Sequence, residues 1–369
     1  MEHLHFKTTI IYAATCFLLA ACNGNSDQVT PSPGPGPGPG PGPGPNDNSW
    51  LIPKDQVFDG GPGKDGIPSI DNPQFSPVGS ISFLAPGDLV LGVKVGDEIR
   101  AYPHVILDWH EIVNDEVNGI PMAITYCPLT GTGIGWDRTV GGSTTTFGVS
   151  GLLYNTNLIP YDRASGSNWS QMLLKSVNGS LKGEFVKTYP LIETTWQTWQ
   201  SMFPDSKVLN TNTGFSRNYG VYPYGTYKTN HDQLLFPVDP DDERLLRKTR
   251  GLGVIVDGEA KFYRFNKFDA QVTVQQDVIK GVELVVVGSS HQNFLTAFKR
   301  KLAGGTLLEF TAIVQSGNPV VMKDNEGNEW NLFGEAVSGP RTGERLAQAE
   351  SFIGYWFSWG AFYPGLEIF

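Results

Sequence analysis

Short apolar runs alternate with polar residues through most of the chain after residue 50 and break at Gly, Asn and Asp, a period of two that marks half-buried strands. Residues 97–102, 121–126 and 144–149 read as strands, and so do 283–287, 307–313 and 319–322. Residues 110–113 read as a further strand, turning at 114–119 and returning as 120–126. Alternation then places Asp108 and His110 on one face and Glu111 on the other. The return strand brings Cys127 beside Leu107 and Asp108, within a side chain's reach of His104 or His110. Two segments change period: over 193–202 and 351–361 aromatic pairs recur three apart. They predict short helices lying on the sheets, with Thr194 or Ser351 near the N-cap and their Trp residues in the core.

The pattern occurs twice. Leu91, Gly92 and Tyr102 are answered by Leu252, Gly253 and Tyr263, Asp115 and Gly119 by Asp277 and Gly281, and Trp136, Arg138 and Phe147 by Phe298, Arg300 and Phe310. Trp169, Gly179, Gly183, Glu184, Trp196, Trp199 and Pro204 match Trp330, Gly339, Gly343, Glu344, Trp356, Trp359 and Pro364, the offset staying between 160 and 163. Repeats at 88–204 and 249–364 therefore predict a mainly β, β-rich α+β body with short helices, in which two tandem copies pack as a pseudo-symmetric pair over residues 50–369. The link between the copies carries the aromatic run Tyr222 to Tyr227 and the acidic run Asp239 to Glu243, which lacks the spacing of a calcium loop and reads as a solvated turn.

Charge removes one class of partner. With 27 Lys and Arg against 37 Asp and Glu, a net charge of −10 and no basic block, the chain has no electrostatic footprint for nucleic acid. Of the 44 Gly and 26 Pro, many sit in an alternating Pro/Gly tract over residues 31–45, whose period of two rules out collagen. It reads as a solvated tether over 22–49, with a reach of roughly 45 Å at polyproline rise. Before it, residues 1–21 read as a signal peptide too short to span a bilayer, and Leu19-Ala20-Ala21-Cys22 resembles a bacterial lipobox. Cys22 is then expected to carry lipid and anchor the protein in the cell envelope, and Asn23 favours the outer membrane by resemblance to proteobacterial lipoproteins.

Duplicated halves share what folding demands, so polar groups present in only one half are candidates for chemistry. Copy one has His104, Asp108, His110, Glu111 and Cys127, where copy two has Phe265 for His104, Val272 for His110, Thr273 for Glu111 and Ser289 for Cys127. With Cys16 in the signal and Cys22 lipidated, Cys127 is the one remaining thiol of the mature chain, in a compartment where thiols are usually paired. A thiolate and two imidazoles suit a copper or zinc ion held by Cys127, His104 and His110. The same residues also fit an enzyme in which Cys127 is the nucleophile, His110 its base and Asp108 the orienting group, with Glu111 alongside. A non-catalytic lipoprotein that binds a saccharide or protein is the third reading. Arg163, Gln171 and Tyr126 are expected to form a polar surround. Arg163 is matched with Asp324 and Gln171 with Leu332 in the second copy.

Tyr102-Pro103, the run Trp109 to Asp115, the run Thr125 to Leu129, the run Gly148 to Asn155, and Asp162-Arg163 through Trp169 to Gln171 together resemble domain-of-unknown-function family 3179. The likeness covers nearly everything after the tether, including Pro223, Tyr224 and Tyr227. That resemblance implies no activity. It does imply a Cys-x-x-Cys pair in many members, whereas this chain has Thr130 at the second position, which leaves single-thiol chemistry or a Cys/His metal site.

Overall fold

Alternating residues build two antiparallel ladders of the same design. A computed structural model describes residues 49–314 and 317–369, so the signal segment, Cys22 and all but the last residue of the tether lie outside the described residues. Leu89–Val95 pairs with Glu98–Pro103, Leu91 opposite Tyr102, and Arg250–Val256 pairs with Glu259–Arg264, Leu252 opposite Tyr263. Each pair is extended on one side by a later strand, Ile192–Thr195 or Glu350–Tyr355. On the other side a short strand joins in parallel, Lys207–Leu209 or Glu367–Ile368. Three-stranded meanders follow at Ile112–Val117, Ile120–Cys127 and Thr132–Asp137, and at Thr273–Ile279, Val282–Ser289 and Phe294–Lys299. The described residues are mainly β, with three short α-helices among them.

Side-chain anchors recur with the ladders. The Tyr102 hydroxyl donates to Asp115 at 2.6 Å and the Tyr263 hydroxyl to Asp277 at 2.8 Å. Trp169 donates its indole N–H to Asp162 at 3.1 Å, and Trp330 to Asp324 at 2.9 Å. These bonds place Asp162 opposite Asp324, so the residue answering Arg163 is Asn325, not Asp324 as the sequence comparison has it. Contacts between the halves are reciprocal: Ile192–Thr195 lies against Phe294–Lys299, and Glu350–Tyr355 lies against Thr132–Asp137. Helix α2 (Trp196–Met202) shares a core with Trp330 and Phe310, and Trp356 and Trp359 of helix α3 (Trp356–Phe362) share one with Trp136 and Trp169. Each half thus contributes large aromatic area to a core it does not complete alone.

Several elements differ from the sequence reading. Both Trp-bearing helices are shorter, because 192–195 and 350–355 satisfy their backbone groups in the sheet before the helices begin; Thr195, not Thr194, caps α2, accepting from Thr198 N–H at 3.2 Å. Residues 144–149 divide between a two-residue strand, Ser143–Thr144, and the long strand Phe147–Tyr154. Residues 307–313 keep only Phe310–Ala312 as strand. The strand expected from 110 begins at Ile112 instead, since His104–His110 is a helix, α1, entered from Pro103. The matching place in the second half has only a 3-10 turn, Phe265–Lys267.

Candidate functional site

Helix α1 decides the geometry of the site. Helix α1 ends at His110 and Glu111 is its C-cap, and the turn there leaves Glu111 close enough to feel the Asp108 charge, so the two are neighbours rather than residues on opposite faces of a strand. The chain must turn abruptly from α1 into Ile112–Val117, and Glu111 does this with φ at +58°, its N–H bonded to Leu107 O at 2.8 Å and its carbonyl accepting from Tyr126 N–H at 2.7 Å. A side chain at such a φ is strained by on the order of 1–2 kcal/mol. Glycine would relieve that strain, yet a glutamate occupies the position.

Glu111 as a residue is 6 % exposed, and its carboxyl has no hydrogen-bond donor among the described residues. It opens on a cavity of about 170 Å³ walled by Ile67, Leu129, Val149, Leu152, Leu158 and Phe236. Burial, with the Asp108 charge beside it, pushes Glu111 up from its ordinary 4.5 to about 8. Asp108 is also buried. Its Oδ2 accepts from Lys228 Nζ at 2.8 Å while Oδ1 has no partner among the described residues, and burial raises it to about 6 against the opposing pull of Lys228. Asp108 borders a second, more open cavity of about 480 Å³ with Trp109, Arg217 and Pro223. Ile67 and Tyr224 line both cavities and form the wall between them.

Cys127 ends the strand Ile120–Cys127 opposite Thr132, across a loop that Gly131 closes at a φ of +61°. The thiol is 1 % exposed and donates a long bond to Thr156 O at 3.7 Å. Burial and the Glu111 charge push it up to about 11, while the Thr130 hydroxyl and the backbone N–H groups of Thr130 and Leu158 favour its anion. Thr130 is held in turn: its hydroxyl accepts from Asn157 at 3.0 Å, Asn157 also donates to Gln171 at 2.7 Å, and Gln171 donates to Thr125 at 3.0 Å. Gln171 is therefore part of the polar surround of Cys127, three links away through Thr130 and Asn157.

The other expected members stand elsewhere. His110 has both ring nitrogens engaged, Nδ1 with Pro68 O at 2.8 Å and Nε2 with the Tyr219 hydroxyl at 2.7 Å, so it is not free to act as base or ligand. His104 is held neutral by burial and by the nearby charges of Lys228 and Arg250, packs at a 46° tilt against Tyr126 with ring centres 4.4 Å apart, and has Nε2 3.3 Å from Glu193 Oε2 without the alignment of a hydrogen bond. The copper or zinc trio of Cys127, His104 and His110 does not assemble: among the described residues no group of three or more His, Cys, Asp or Glu side chains converges. Arg163 belongs to another network, binding Asp71 at 2.8 Å, Ser69 at 2.8 Å and Thr146 at 3.1 Å, where it pins the segment before the first ladder.

Sequence reading missed the link between the halves as a source of site residues. Tyr224 walls both cavities, Lys228 pairs with Asp108, and Phe236 closes the Glu111 chamber and is fixed by Thr156 through its carbonyl at 2.8 Å. The acidic run is paired rather than free, Asp242 with Arg244 at 2.6 Å and Asp241 with Arg247 at 2.5 Å. The run Tyr222 to Tyr227 was visible in the sequence, but nothing in its spacing indicates that it folds back over α1.

A family model described as a protein of unknown function, DUF3179, matches residues 64–366. No curated protein and no solved structure matches the chain.

Proposed function

Since the chain belongs to the DUF3179 family of proteins of unknown function, which carries no activity to inherit, we propose from the site's own chemistry that it is an acid–base site for a small, uncharged, largely apolar molecule bearing an acceptor oxygen. One observation carries the reading: the Glu111 carboxyl, held at a strained φ and without a hydrogen-bond partner among the described residues, faces an apolar chamber. At neutral pH such a carboxyl keeps its proton and donates it in a hydrogen bond, whereas Asp108, one turn away, is ionised. Two carboxyl groups whose environments push them apart are a natural acid and base pair. An apolar cavity of roughly 150 Å³ accepts a benzene-sized group, so a six-carbon ring with one carbonyl matches the chamber. The lipobox at Cys22 and the tether support a placement on the cell envelope.

The test is binding of cyclohexanone and benzaldehyde, followed by the infrared carbonyl stretch and by the protein's melting temperature. Binding at pH 6.5 that weakens above pH 8, and that Leu158→Trp abolishes by filling the chamber, is the expected result. No binding at pH 6.5, or binding indifferent to both changes, overturns it.

A further inference from the structure

Two residues that the sequence singled out, Arg163 and His110, stand outside the Glu111–Asp108 pair, and both hold one short segment. Arg163 Nη1 donates to Asp71 at 2.8 Å, while its Nη2 donates to the Ser69 hydroxyl at 2.8 Å and reaches Asp65 at 3.4 Å. His110 Nδ1 lies 2.8 Å from Pro68 O; a carbonyl only accepts, so that nitrogen carries the proton and Nε2 accepts from the Tyr219 hydroxyl. Asp65 also accepts from the Tyr161 hydroxyl, and its N–H bonds to Val149 O at 2.8 Å. Just upstream the loop lies backbone to backbone on the strand Phe147–Tyr154: Gly60 N–H donates to Gly151 O at 2.7 Å, and a Cβ on Gly151 would lie 2.8 Å from Gly63 O. Between the anchored Asp65 and the anchored Pro68 sits Ile67.

Ile67 and Tyr224 border both the chamber of about 170 Å³ and the outer cavity of about 480 Å³. Tyr224 comes from the link and packs edge to face on Tyr222 with ring centres 5.5 Å apart. Ile67 is half-buried against the core that contains Leu129, Val149 and Leu158. It is stiff twice over, because its side chain is β-branched and because Pro68 after it confines its backbone to extended conformations. Its side chain therefore goes where the anchored backbone puts it. Asn325, at the place of Arg163 in the other half, binds the Glu309 backbone instead, so the clasp is particular to the half that has the chamber.

We propose that Ile67 is the size-selecting residue of the Glu111 chamber and that Arg163 is the positioning residue that keeps it in place, so that a ligand with one six-membered ring is admitted and one with two linked rings is refused. The inference rests on the chamber being a ligand site, and it names the class of ligand that fits there. Cutting Ile67 back to alanine thins the partition beside Tyr224 and opens the chamber to the outer cavity, giving a second ring room toward Trp109 and Pro223. Removing the Arg163 guanidinium acts in the same direction, because Asp65, Ser69 and Asp71 lose their common anchor and the loop that carries Ile67 is freed to move outward. A pocket wall discriminates against an extra group through the space it denies, by tenfold or more for even a small one.

The experiment measures binding of benzene and of biphenyl to the full chain by ligand-observed NMR, alongside the melting temperature. Neither probe carries an oxygen, so size selection is read apart from the Glu111 hydrogen bond: benzene bound as tightly as cyclohexanone is a failure of the acid reading and leaves the partition standing. Wild type should bind benzene at least about tenfold more tightly than biphenyl. Ile67→Ala should shift that ratio toward biphenyl by at least about tenfold, and Arg163→Gln should shift it the same way by about threefold or more. A wild type that binds both probes equally, or neither, overturns the proposal, and so does an Ile67→Ala protein with the wild-type ratio. An Arg163→Gln protein that melts lower yet keeps the wild-type ratio overturns the positioning role, since a merely structural clasp changes stability and not selectivity. Should Arg163→Gln fail to fold, Ser69→Ala, which removes one arm of the clasp, is read by the same ratio, and an unmoved ratio again overturns the positioning role.

Discussion

Replacing Glu111 by Gln keeps the size of the side chain and its backbone strain and removes only its ionisation. Glu111 sits at about 8 in the folded protein against an ordinary 4.5. Below pH 4.5 folded and unfolded chains both carry the proton, so the group leaves stability unchanged. As pH rises from there the unfolded chain releases its proton while the folded one retains it, and each pH unit costs the folded state about 1.4 kcal/mol. Above pH 8 both are ionised and the loss is constant, about 4–5 kcal/mol by this reckoning for a group only 6 % exposed. Stability contributed by the protonated carboxyl is thus full below 4.5 and gone above 8. Asp108 follows the same sign over a lower window, up to about 6, and is present in both proteins, so most of its effect drops out of the comparison. Guanidinium unfolding of wild type and Glu111→Gln, read by tryptophan fluorescence at pH 5, 6.5, 8 and 9, should give nearly equal stabilities at pH 5 and a Gln variant several kcal/mol the more stable at pH 8 and 9. A difference that stays flat with pH, or a Gln variant less stable throughout, would show that Glu111 is not a buried unpartnered acid.

Two further predictions concern architecture and address. A Cβ on Gly92 would lie 1.8 Å from the Trp199 ring, and one on Gly253 would lie 2.2 Å from the Trp359 ring, so Gly92→Ala and Gly253→Ala should each lose about 3 kcal/mol or more. Gly79, with nothing near its Cβ position, is the control: equal melting temperatures for Gly79→Ala and Gly92→Ala would contradict the packing. Cys22→Ala should move the protein from the membrane fraction to the soluble one, and a wild type that is soluble and retains the residues before Cys22 refutes the lipid anchor.

The β-rich class and most of the strands were legible in the sequence because period-two alternation is a local property, repeated often enough to stand above noise. Gly92 and Gly253, and Trp199 and Trp359, stood out in the sequence as answering positions, but only the packing shows that each glycine makes room for its tryptophan. Glu111 and Cys127 were also visible, as residues answered by Thr273 and Ser289 in the other half, and Asp108 as the carboxylate beside His110. Their arrangement was not. Whether 104–110 winds as helix or extends as strand depends on the room left beneath it by the neighbouring ladder, and the second half, with its single 3-10 turn at the same place, points the wrong way. That one difference puts Glu111 beside Asp108 and takes His110 out to Pro68 and Tyr219. Lys228 and Phe236 come from a link without periodicity, and tertiary packing alone brings them to Asp108 and to the chamber beside Glu111. Sequence patterning records which faces of an element must be buried; it does not record which distant segment covers them, because burial is non-directional whereas the hydrogen bonds and charges of a site depend on the three-dimensional path of the whole chain.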